Sequence, residues 1–405
     1  MNTLFNQINF IFATLFVLFG VWILRFSAMN LDNLKPVANA AQDFDYSDIL
    51  FRYKANKPPS YSPIVIVDLP KYCDSDGNSR KDIARELDTI FQYQPKVVGV
   101  DAYFDNNKDT SGNACLLSVI GDSSRRGKIV LSGYLDYHAN KHGGYNYRQV
   151  KSFAALDSIS VWGYANFVGE EFKTLRHIKP FASESGRQEF KSFSAAIIQI
   201  ADSTAYEALE ARRTCKDSIE YINYTKSQRQ FIPHFTAQSI FNGGDTLAIL
   251  KNKIVLIGCT DTTYLSDLQF TPFNRVIIGR TLPDMNGVFV HANVIQMMLA
   301  RNYVSTIPLS VILILVLIIN YLFTIFYFRF TESKYAEYNT PIRFIQLLSF
   351  LVLMFSKVYL LKYFNYIFDD YYFVSSFILN VDLLNLYLFI IGLLGLLVSW
   401  LYSYL

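Results

Sequence analysis

The chain has 405 residues, and its 37 Lys and Arg against 34 Asp and Glu leave a formal charge of +3, so nothing in it calls for nucleic acid or another polyanion as a partner. That length allows two or three units. The four cysteines, Cys73, Cys115, Cys215 and Cys259, show no C-x-x-C spacing and no histidines at metal-site intervals, which argues against zinc.

Hydrophobicity is uneven along the chain. Residues 8–24 and 307–405 are membrane-like, whereas the region between them has ordinary polar content. Ile8 to Leu24 is an apolar run of about 17 residues, roughly 25 Å of helix and near the lower limit for a span. A cleavable signal peptide is the competing reading, but the first seven residues lack Lys and Arg and no A-x-A site follows. Residues 1–26 are therefore expected to be an uncleaved transmembrane anchor.

From Ser27 to about Pro59 the chain is polar and aromatic, and Lys57-Pro58-Pro59 breaks any helix. Ile64 to Asp68 reads as a buried strand, Arg80 to Phe91 as an amphipathic helix and Lys96 to Asp101 as a second buried strand. That order predicts a right-handed βαβ crossover with the two strands as neighbours. A helix near Cys115 to Ile120 precedes a strand at Lys128 to Leu131. Val161 to Val168 and Thr174 to Ile178 look like strands, a hairpin or a sheet extension. Phe190 to Ala201 is expected to be a helix, Tyr221 to Tyr224 a short strand, and Phe231 to Leu250 a mixed stretch ending in a small helix. Ile254 to Gly258 is a continuous apolar run suited to a strand buried on both faces. After Asn286-Gly287, Val290, Val294, Ile295, Met298 and Leu299 recur at helical spacing. The expected fold class is α/β: one domain over residues 27–306, with a mostly parallel sheet flanked by helices.

The last hundred residues are different chemistry. Ile307 to Phe328 is uncharged and, at about 22 residues, long enough for a full bilayer core. Phe344 to Leu361 is a second span, with Lys357 placed to snorkel. The best third span is Leu383 to Tyr402, and Tyr371 to Val381 reads as an interfacial helix or re-entrant turn. With the anchor, four transmembrane helices are expected, three of them in residues 307–405. The loop 329–343 carries three basic residues against two at 357–362, which favours placing that loop and both termini in the cytoplasm. The middle domain then lies outside, in the periplasm of a cell whose inner membrane holds the multi-pass chain.

Asp68 and Asp101 fall at the C-terminal ends of predicted neighbouring strands, the edge where open α/β sheets bind ligands. The plainer alternative is that they cap the turns after those strands. Asp267 and His291 fall after the last strand and near the start of its helix, where a neutral imidazole could meet a metal or a carboxylate, or be satisfied by local backbone. These four are the candidate ligand-binding residues for an unknown small ligand. Arg52 and Arg80 could clamp an anion or pair with these acids. Asp382 is the one acid near the closing span, expected at the outer interface with Asn380 and Asn385, and Gly392 and Gly395 could allow close helix packing. If the domain lies outside the cytoplasm, Cys73 and Cys115, each just after one of two successive strands, are the candidate disulfide pair, against buried free thiols. Asn242-Gly243-Gly244-Asp245 reads as a turn. There is no G-x-S-x-G elbow, P-loop, G-x-G-x-x-G turn or H-E-x-x-H pair, so no catalytic residue, cofactor or metal is expected.

Several of these pieces occur together: Asp45 and Asp48 with Ile-Leu-Phe-Arg52, IVIVDL at 64–69, PKVVGVDAYF at 95–104, GYANF at 163–167, INY at 222–224, and KIVLIGCT through MNGVFVHANVIQMML from Lys253 to Leu299. With one helix before them and three after, they resemble the second type of CHASE domain, the cyclase/histidine-kinase-associated sensory extracellular domain. A tryptophan-rich segment usual after the first strand is replaced here by Tyr72-Cys73-Asp74 through Arg80. The resemblance implies a membrane-anchored sensory or interaction module. Such domains commonly continue into a cyclase or kinase; the expectation here is that output passes through a separate membrane or signalling protein, with a homo-oligomer as a further option. A non-sensing scaffold subunit of a bacterial envelope complex is the alternative, and an extracytoplasmic enzyme the remaining one.

Overall fold

A computed structural model describes residues 2–30, 45, 47–58, 60–69, 80–104, 110–139, 145–150, 154–156, 159–167, 174–184, 188–213, 219–263, 267–274, 282–332 and 340–402. Cys73 and Cys215 lie outside them, and with Cys73 the proposed Cys73–Cys115 pair. The chain divides into two compact units: Met1–Ser47 with Ser305–Leu405, and Asp48–Val304.

The second unit is built on a seven-stranded sheet. Its strands are β1 (Ser60–Asp68), β2 (Val97–Val100), β3 (Ile129–Ala139), β4 (Tyr145–Val150), β5 (Val161–Tyr164), β6 (Phe231–Phe235) and β7 (Ile254–Gly258). They lie in the order β6-β1-β7-β2-β3, with β3 pairing both β4 and β5. Every pairing is parallel except β3 with β4. The continuous apolar runs take the centre, where both faces are covered: β2 and β7 are buried at every position. β6 takes an edge, the place for a strand containing Pro233, which has no N–H to give a second neighbour.

Successive residues of a strand face opposite sides, and both sides are packed. Val65, Val67, Val98, Val100, Val255 and Ile257 form one core with Ile83, Leu87 and Ile90 of helix Arg80–Gln92 and with Leu116 of helix Thr110–Ile120. Helix Phe193–Ala201 and helix Gly287–Leu299 (αS) pack against β1, β2, β3, β5 and β7. Gly258 allows this approach, since a Cβ there would stand 2.7 Å from Cβ of Val288.

Several expectations change. β1 and β2 are not neighbours, because β7, more than 150 residues later in the chain, inserts between them and pairs with both. Residues 177–178 form no hairpin with β5; they pair with Glu220–Tyr221 instead. β5 ends at Tyr164 and extends the sheet, and the strand after Lys128 runs on to Ala139 and turns back as β4. β6 lies within the stretch read as mixed, its alternation hidden by Pro233 and His234.

Among the described residues the first unit holds four helices: Asn2–Asn30, Leu309–Thr331, Thr340–Phe364 and Tyr371–Tyr402. The three C-terminal helices are long and apolar enough to cross a membrane, and the first carries a shorter apolar stretch, Gln7–Ile23. Tyr371–Tyr402 is one continuous helix, not an interfacial piece with a separate span after it. Its packed part is the more polar one: Phe373, Ser376, Phe377, Asn380, Val381, Leu384 and Tyr387 are buried, whereas Leu388 to Tyr402 are exposed. Asn380 donates to Asn320 Oδ1 at 2.7 Å, and Asn320 donates to Ser376 Oγ at 3.0 Å. Asn385 accepts from the Tyr327 hydroxyl, and Asp382 meets Arg343 at 2.7 Å. Interhelical polar contacts of this kind hold helices together where apolar surface cannot distinguish helix from lipid. Lys357 is buried and paired with Asp45 at 2.8 Å and Asp370 at 3.5 Å. Gly392 and Gly395 have open space beside them, so they form no close-packing seam among the described residues.

Candidate functional site

The C-terminal ends of β7, β2, β3 and β5 meet the N-terminus of αS, and two carboxylates are gathered there. Asp101 comes directly after β2, its N–H donating to Ile257 O at 2.8 Å. Asp267 accepts at Oδ2 from Gly287 N–H at 3.3 Å and from Asn286 Nδ2 at 3.2 Å, so it caps αS. A Cβ on Gly287 would stand 3.3 Å from Asp267 Oδ1 and 3.9 Å from Asp101 Oδ2, which locates both acids around one glycine. Burial, and then the neighbouring Asp267, push Asp101 up to about 7, against a hydrogen bond from Ser132. Burial pushes Asp267 up to about 6, against its Asn286 and Gly287 donors. Two buried acids beside one another disfavour joint ionisation. Beside Asp101 opens a cavity of about 370 Å³, lined also by Tyr103, Ser132, Tyr134 and Asn166.

His291 lies one turn along αS and is buried. Nε2 is 3.1 Å from the Ala165 carbonyl and Nδ1 is 3.0 Å from Ser194 Oγ. A carbonyl only accepts, so the Nε2–H donates to Ala165 and Nδ1 accepts from the serine. Phe167 stacks on the ring at 4.9 Å and Phe193 meets it edge-on at 5.2 Å. Burial holds the imidazole down to about 4 and therefore neutral. Both nitrogens are committed to these partners, and among the described residues no group of three His, Cys, Asp or Glu could hold a metal ion.

Asp68 is set apart from the other acids by β7. Its register partner is Gly258, and its Oδ1 accepts from Thr260 N–H at 3.1 Å, fastening the turn after that strand. Behind it Glu86 is buried, pushed up to about 9 by burial and then by Asp68 and Asp82. The structure thus brings Asp101 and Asp267 together, and leaves Asp68 and His291 with other partners.

A second, larger cavity of about 940 Å³ lies between residues that the sequence does not connect. Arg52, Lys57, Gln228, Arg229, Asn274 and Asp284 supply its polar wall, with Phe273 and Met285 as apolar surface. Gln228 also donates to Asn286 Oδ1 at 3.1 Å and accepts from Asn286 N–H at 3.2 Å, so its wall reaches the residue that donates to Asp267. Arg80, by contrast, donates to Asn113 and stacks at 5.7 Å over Phe104.

Residues 13–325 match the family model described as CHASE2 domain. The chain belongs to the CHASE2 domain family. That match begins within helix Asn2–Asn30 and ends within helix Leu309–Thr331, so it takes in the whole second unit. Neither a curated protein nor a solved structure matches the chain. CHASE2 domains are sensory and extracellular, and this one holds two features of opposite character: an acid pair at a helix N-terminus and a cavity rich in cations. Sequence reasoning reached the first because strand-end acids are local signals. It named Arg52 but missed the cavity, since Arg52, Arg229 and Asp284 come from three distant segments.

Proposed function

We propose that this CHASE2 protein is a sensory or interaction module anchored in a cell inner membrane by four transmembrane helices, one N-terminal and three C-terminal. Its α/β domain lies in the periplasm, and its loop 329–343 and both termini lie in the cytoplasm. A ligand or partner bound at the strand ends beside Asp101 and Asp267 biases αS. That bias is passed to the helix beginning at Leu309, and from the membrane to a separate output protein; no catalysis is required. The observation carrying this reading is the family match itself, which runs from residue 13 to residue 325 and so includes the start of the first C-terminal helix. In support, αS ends at Leu299 and the next long helix begins at Leu309, leaving little slack to absorb a shift.

Membrane orientation is the part most directly tested. Lys251→Cys and Glu332→Cys place one extra thiol on an exposed position of the domain and of the segment after the first C-terminal span. With a bilayer-impermeant maleimide mass tag applied to cells whose inner membrane is intact, Lys251→Cys gains one tag over the parent chain. Glu332→Cys gains it only after that membrane is opened. The opposite pattern puts the domain inside and removes the sensory reading. Co-purification in mild detergent then separates output from scaffold: a kinase or cyclase supports sensing, and a stoichiometric set of envelope proteins supports the scaffold.

A further inference from the structure

We propose that the 940 Å³ cavity is a binding site for a small organic anion, a carboxylate or phosphate monoester carried on an apolar group. The proposal goes beyond the sensory reading by adding a site apart from the strand ends beside Asp101 and Asp267, and as a statement about binding it is tested without any signalling output.

Three cations border the cavity, from Arg52, Lys57 and Arg229, against one carboxylate, Asp284. That carboxylate is already engaged, accepting from Thr271 N–H at 2.8 Å and from Thr271 Oγ1 at 2.5 Å. Burial pushes its carboxyl up to about 6, against the Thr271 donors and Arg52, which forms no ion pair with it among the described residues. The Arg52 guanidinium has no hydrogen bond among the described residues either, and its Nε is buried without a partner. Arg52 is half-buried, and a guanidinium whose Nε is shut off from water with its donor unmet presents a planar fork to the cavity, which carboxylates and phosphates fit with two parallel bonds. Arg229 and Lys57 stand at the exposed side of the same space, placed to draw an anion in. Gln228 and Asn274 add neutral donors, and Phe273 and Met285 give an apolar surface for the rest of the molecule. The volume falls within the range of about 300–1,000 Å³ that holds drug-sized ligands.

The test uses full-length protein in lipid nanodiscs, titrated calorimetrically with phenyl phosphate, phenylacetate and neutral phenylacetamide. At least one anion binds, and where both do they compete, whereas the amide of matching shape binds at least about tenfold more weakly. Arg52→Gln removes binding. Arg229→Gln, at an exposed position where folding is not at stake, weakens it by about threefold to tenfold and lowers its salt dependence. Equal binding of the amide, anion affinity unchanged in Arg229→Gln, or no binding of either anion overturns the proposal. Preference for phenyl phosphate over phenylacetate assigns the phosphate form, and the reverse assigns the carboxylate. A chain that binds an anion as described but shows the inverted labelling pattern keeps this site and loses its sensory role.

Discussion

Glu86 is fully buried, and neither of its carboxyl oxygens has a hydrogen-bond partner among the described residues. An ionised carboxylate there is costly, so burial, with Asp68 and Asp82 beside it, raises its pKa from 4.5 to about 9. Proton linkage sets the direction of the effect on stability. The unfolded chain releases the proton above its own pKa while the folded chain retains it, so the penalty is absent below about 4.5 and grows as pH rises toward 9. Glu86→Gln removes the ionisation and leaves the shape. Its stability relative to the parent therefore rises with pH between 5 and 8, by up to about 1.4 kcal/mol per pH unit. Thermal unfolding of both proteins across that window measures it, and parallel curves would show that Glu86 ionises freely in the folded domain. None of this was visible in the sequence, where Glu86 sits among the charged residues of an amphipathic helix. His291 was equally opaque, because the Ser194 and Ala165 that occupy it are 97 and 126 residues away.

At the scale of elements, the helix layer sits on the sheet through glycines whose absent side chains set the spacing. A Cβ on Gly163, in β5, would stand 2.6 Å from Cα and 2.7 Å from N of Phe193, at the start of a helix. One on Gly258, in β7, would meet the Val288 side chain at 2.7 Å, with no backbone atom among its nearest neighbours. Val288 Cβ is fixed to its own backbone, so no rotamer change relieves either contact; Gly163 faces three backbone atoms at 2.6–2.8 Å and ranks as the more severe position. Gly258→Ala is expected to cost about 1–3 kcal/mol, the usual range for overpacking, and Gly163→Ala more. Urea unfolding of the two variants gives the order, and equal losses would mean that the helix at Phe193 slides without penalty. The elements were legible where pattern and burial agree: β1, β2, β7 and αS each show in the sequence as an apolar run or a helical stripe. Their neighbours were not. A strand's own residues cannot say that β7 returns to lie between β1 and β2, and this long-range choice is what separates Asp68 from Asp101 and leaves Asp101 with Asp267. β6 was missed for a local reason, since a strand that holds Pro233 at an edge breaks the alternation by which strands are recognised.

At the scale of the molecule, the chain passes between its two units twice, at Ser47–Asp48 and at Val304–Ser305, and is fastened on either side of each passage. Asp45 pairs with Lys357 within the first unit, and three residues on Asp48 pairs with Arg176 at 2.6 Å within the second. Val304 bridges to Tyr221 in the second unit, and Ser305 donates from its N–H to Asn365 O at 2.8 Å in the first. Such short passages suit transmission by displacement, because a segment held at both ends carries a shift at one end through to the other. Inserting Gly-Gly between Val304 and Ser305 introduces slack at one passage and removes no contact within either unit. Phenyl phosphate affinity is then expected to stay within about twofold of the parent, since the anion cavity lies wholly in the second unit. Hydrogen exchange carries the other half of the prediction. In the parent, ligand changes amide protection both around the cavity and in the first turns after Leu309; in the insertion variant only the cavity responds. A variant that retains the full response beyond Leu309 would show that αS is not the route, and would move attention to the passage at Ser47–Asp48. Loss of binding itself would show that the cavity depends on tension in the chain, which sensing by displacement does not require.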